Sequence, residues 1–111
     1  MRNTKKAIGQ RGSWFASVED EELPCVHAHW FKAGYYHDTD AHPDIERFRE
    51  LFDAIKEKRK VILTRDDLIM SGGEHTGFAR AGYIAIFSVD EPVLDERGLR
   101  FKFLKRLFNL D

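Results

Sequence analysis

A single cysteine, Cys25, stands among the 111 residues. An internal disulfide is excluded, and a reducing, cytoplasmic setting is the expectation. Charge of one sign is also lacking, for 18 Lys and Arg offset 19 Asp and Glu to leave a formal −1. No global field therefore draws the chain to nucleic acid or to an anionic membrane. No apolar run approaches the roughly 20 residues of a membrane-spanning helix. The opening MRNTKKAIGQRGS has charge without an apolar stretch after it, unlike a secretory signal. Catalytic and nucleotide-binding signatures are missing as well: there is no H-E-x-x-H, C-x-x-C, G-x-S-x-G or phosphate-binding G-K-S/T.

What remains is 42% hydrophobic and 33% charged, a balance that suits one folded domain of this length. The first dozen residues have little to bury, so residues 1–12 are expected to form a flexible tail and 13–111 a single α+β domain. Alternation predicts strands over 13–18 and 25–31, with a short third strand over 35–38. Pro43 suits a first helical turn, and Ile45, Phe48, Leu51, Phe52 and Ile55 make an apolar stripe, so a helix is predicted over about 43–58. Val61 to Arg65 reads as a strand. Residues 66–81, with three glycines, read as a long loop. Gly82 to Val89 is apolar on both faces, as a covered central strand would be. Asp95 to Gly98 reads as a turn into a last strand carrying Leu99, Phe101 and Phe103 on one face, with a bulge or helical turn near Leu104. The predicted order is β-β-β-α-β-β-β: a mostly antiparallel curved sheet, or small partly open barrel, of five to six strands with one main helix.

Chemistry-bearing residues concentrate between Cys25 and His42, CVHAHWFKAGYYHDTDAH, which holds four of the five histidines. If 25–31 is extended, Cys25, His27, His29 and Phe31 share one face and Val26, Ala28 and Trp30 the other. Two imidazoles two strand positions apart can close on one metal. The candidate ligands are His27, His29 and His37, with zinc or another divalent ion as the cofactor of that reading. The competing account, half-buried histidines bonded to neighbours, needs no cofactor and is preferred. Cys25 is read as a buried, inert thiol rather than a nucleophile.

Phe15, Phe31 and Tyr36 are expected to line an aromatic sheet face with His27 and His29, and His75 to reach it from the long loop. An apolar cleft with a few polar groups is the usual form of a small-ligand site. The leading expectation is thus a non-enzymatic binding module for a small, partly aromatic ligand or a protein partner. Homodimerisation is compatible with an exposed sheet edge. The alternatives are a metal-dependent enzyme centred on the His27-x-His29 strand, and a nucleic-acid module using Arg97, Arg100, Lys102, Lys105 and Arg106. Nucleic acid is the less favoured partner because the chain as a whole is near neutral.

Overall fold

A computed structural model describes residues 4–5, 7–11 and 14–110, with side chains described outside 4–11, 66–71 and 74–81. The described chain forms strands β1 (Thr4–Lys5), β2 (Ala7–Arg11), β3 (Phe15–Val18) and β4 (Glu21–His27). A 3₁₀ turn (Ala28–Trp30), β5 (Phe31–Lys32), β6 (Tyr35–Asp38) and helix α1 (Glu46–Lys58) come next. The chain continues through β7 (Lys60–Ser71), β8 (Glu74–Val89), β9 (Val93–Asp95) and β10 (Gly98–Leu110). This is broadly the α+β class, one helix on a mostly antiparallel open sheet, but with more strands than expected and in another order. The path through the sheet is β2-β3-β4-β7-β8-β10-β6-β5, with β1 and β9 each paired to β10. No described helix is long and apolar enough to cross a membrane.

Three departures from the sequence reading matter. Within the segment read as a tail, β1 pairs with the end of β10 and β2 pairs with β3; residues 1–3, 6, 12 and 13 lie outside the described ones. The long loop expected over 66–81 is instead a hairpin. β7 and β8 pair in register from Lys60↔Ser88 to Ser71↔Glu74, and Gly72 and Gly73, at φ 60° and 85°, close it. Two adjacent left-handed residues form the tight turn whose twist matches antiparallel strands. Register shifts at Leu63/Thr64, Arg65/Asp66 and Ile69/Met70 break the regular alternation that would have marked these strands. The expected strand over 25–31 ends at His27, where the chain turns into the 3₁₀ segment.

The sheet separates two apolar clusters. Val26, Val61 and Leu63 enter the larger with Tyr36, Leu99 and Phe101, while Cys25 and Ile62 enter the smaller with Val18, Leu23 and Ile86. Alternate residues of β4 and β7 therefore face opposite clusters, as a strand covered on both sides requires. The helix lays Phe48, Leu51 and Ile55 on the larger cluster. It begins at Glu46, later than predicted, because Ile45 caps it in an extended conformation and stays exposed. Lys56 and Lys58 lie in its last turn, where the helix dipole favours cations. Arg59 then ends it in the left-handed region at φ 54°, its N–H donating to the Ile55 carbonyl at 2.8 Å.

The last strand joins three partners in succession. Over Leu99 to Lys102, β10 pairs with β6; over Gly98 to Arg100 its other side pairs with β9; beyond Phe103 that side passes to β8. Gly98, at φ 114°, sits against β6 so closely that an added Cβ would lie 2.1 Å from the Asp38 carbonyl oxygen. The bulge alternative near Leu104 is the one observed, with register shifts at Phe103/Lys105 and Arg106/Phe108.

Candidate binding face

Parity in β6 and β10 decides which side chains meet solvent. Tyr36, Asp38, Leu99, Phe101 and Phe103 point into the protein and are buried. Their neighbours Tyr35, His37, Arg100, Lys102 and Leu104 therefore take the opposite side. Arg100 stands between His37 and Val93, and Lys102 is opposite Tyr35, which in turn is opposite Lys32 of β5. Four large hydrophobic side chains are exposed among the described residues: Tyr35, Ile45, Val93 and Leu104. Three of them, Tyr35, Val93 and Leu104, share this one sheet face.

Polar contacts fix part of its rim. Arg100 Nη2 bonds the Asp95 carboxylate, and the Asp95 carboxylate also accepts the Arg97 N–H at 2.8 Å. His37 Nε2 lies 2.8 Å from the Arg97 carbonyl, so it donates and its Nε2 carries the proton. The Lys102 N–H donates to Asp90 Oδ1 at 2.7 Å. Lys32 and Lys102 carry no ion pair among the described residues, so their ammonium groups stay available on either side of Tyr35.

The residues singled out from sequence are distributed differently. Tyr36 is 1% exposed and stacks on Phe101 with ring centroids 4.8 Å apart. Phe31 is half-buried and packs on Phe103 at 4.7 Å. These rings fill the core beneath the helix. Phe15 is buried in β3 at the floor of a cleft of about 350 Å³, walled by Glu22, Glu50, Asp53 and Glu57. His29 lies in the 3₁₀ turn, exposed, edge-on to Trp30 at 4.9 Å. The backbone of His75 lies in β8 opposite Met70, and its side chain is outside the described residues. The structure thus brings His27 and His29 no common strand face.

His27 closes β4 opposite Thr64, with Nδ1 buried. Its charge acts on Asp38, from the core side of β6, whereas His37 leaves β6 on the other side. The three proposed metal ligands are therefore not gathered, and no group of three His, Cys, Asp or Glu suited to a metal occurs among the described residues. Burial raises the Asp38 carboxyl pKa from its ordinary value; the Asp40 N–H donated to Oδ1 at 2.9 Å and the charge of His27 oppose that shift. Thr64, fully buried, donates its hydroxyl to the Val26 carbonyl at 3.3 Å, and Cys25 is 1% exposed. Neither presents an accessible nucleophile.

Comparison with protein families, with curated proteins and with solved structures gives no match, so the face is interpreted on its own geometry.

Proposed function

We propose that the protein is a non-enzymatic binding module whose working surface is the outward face of β5, β6, β10 and β9. The observation that supports this is the gathering of Tyr35, Val93 and Leu104 on one sheet face, with Lys32, Arg100, Lys102 and His37 among them. Large apolar side chains scattered singly need no explanation; here three of the four exposed among the described residues stand on one face, interleaved with cations, which supports a role in binding. The face is a pleated surface rather than a pocket, which suits an extended partner better than an enclosed small molecule. A second copy of the chain is one such partner.

Amide chemical-shift mapping tests the reading. The labelled protein is titrated with an aromatic fragment set, an apolar peptide and an oligonucleotide, and also diluted alone. Shifts concentrated at residues 31–37 and 99–104 are expected with at least one probe. Dilution-dependent shifts at the same amides would identify homodimerisation through this face. Shifts confined to the Phe15 cleft, or no shift with any probe, would remove the proposal.

A further inference from the structure

We infer that the occupant of this face is a single-stranded nucleic acid, with a base stacked on Tyr35 and phosphates held by Lys32 and Lys102. The inference rests on the binding-face reading and adds the chemistry of the partner. Its basis is one row across three adjacent strands: Lys32 of β5, Tyr35 of β6 and Lys102 of β10 stand directly opposite one another. Side chains so placed have Cβ atoms about 5 Å apart, which sets the two ammonium groups roughly 10 Å apart on either side of the ring.

Tyr35 is 51% exposed, and its ring makes no ring contact or side-chain hydrogen bond among the described residues. Asp95 is occupied by Arg100, and Asp90 accepts the Lys102 backbone N–H at 2.7 Å; neither forms an ion pair with the Lys32 or Lys102 ammonium group. Two unpaired ammonium groups on either side of an exposed ring suit a ligand that brings anions and a flat π surface together. A flexible single strand offers both at short spacing, whereas bases in a duplex are already stacked. Leu104 and Val93 add exposed apolar side chains to the same face. The near-neutral total charge weighs against long-range capture, not against a local row of this kind.

Fluorescence anisotropy of a labelled oligothymidylate tests the inference. The full chain is expected to bind the single strand at low salt, more tightly than a duplex of equal length, with affinity falling steeply as salt rises. Tyr35→Ala is expected to weaken binding about tenfold, while Tyr35→Phe retains it, because one stacked base contributes roughly 1–3 kcal/mol. Lys32→Ala and Lys102→Ala should each lower the salt slope by about one. All three positions are exposed, and circular dichroism checks that the variants fold. Absence of binding at low salt, equal binding of polyglutamate, or indifference to Tyr35→Ala would overturn the inference. If the oligonucleotide fails while another probe shifts residues 31–37 and 99–104, the binding face stands and only this occupant is lost.

Discussion

Asp38 shows how one residue carries both structural and electrostatic consequences. Its carboxylate closes a local turn by accepting the Asp40 N–H, while its burial raises its pKa. A carboxyl raised in the folded state contributes stability that is fully present below its unfolded pKa and lost as pH rises through the folded value. Asp38→Asn keeps an oxygen that can accept the same N–H and removes the buried charge. At pH 7 this variant is expected to match or exceed the parent by up to about 1 kcal/mol. The gain should vanish below about pH 4, where both side chains are neutral. Asp38→Ala lacks the acceptor and should cost about 1 kcal/mol at either pH. Urea midpoints at the two pH values distinguish these outcomes. Beside it, Gly98→Ala forces a Cβ against the Asp38 carbonyl and holds alanine at a positive φ, so a loss of about 3 kcal/mol or more is expected in the same assay.

At the scale of elements, the sequence disclosed those with a clean period. The helix was legible because Phe48, Leu51 and Ile55 recur at its spacing, and the last strand because Leu99, Phe101 and Phe103 alternate with Arg100 and Lys102. The β7–β8 hairpin was not legible, since its bulges shift parity and its glycines suggested a loop. Alternation continues past His27 in the sequence and would keep His29 in the strand, while the backbone turns there. The outward face of β6 and β10 is hidden in the sequence for a related reason. Tyr35 and Tyr36 are adjacent aromatics, and nothing local says which enters the core; the buried partner Phe101 decides it through pairing across the sheet. The wet face of the last strand, already visible in Arg100 and Lys102, was the available clue.

The β3–β4 turn supplies another element-scale prediction. Glu19 and Asp20 are both left-handed, at φ 49° and 67°, in a two-residue connection that favours Asn-Gly. Replacing the pair by Asn-Gly should raise stability by about 1 kcal/mol, read as a higher urea midpoint with unchanged slope.

For the whole molecule, an open sheet with a helix over the larger cluster leaves the other side of β5, β6, β9 and the first part of β10, residues 98–104, to solvent, while the end of β10 enters the smaller cluster. The same division separates the packed core from the proposed working face. Truncating Phe101, which is buried, should cost about 3–5 kcal/mol of stability, whereas truncating Leu104, exposed on the proposed working face, should cost well under 1 kcal/mol. Because His27, His29 and His37 diverge, protein purified without an affinity tag should contain no stoichiometric zinc by elemental analysis; one equivalent lost in His27→Ala would restore the metal reading.

Selective tyrosine nitration, mapped by fragmentation mass spectrometry, tests the division most directly. Tyr35 should react and Tyr36 should stay unmodified in the folded protein, with a bound oligonucleotide protecting Tyr35. Preferential reaction at Tyr36 would put the wrong side chains on the working surface and contradict the account.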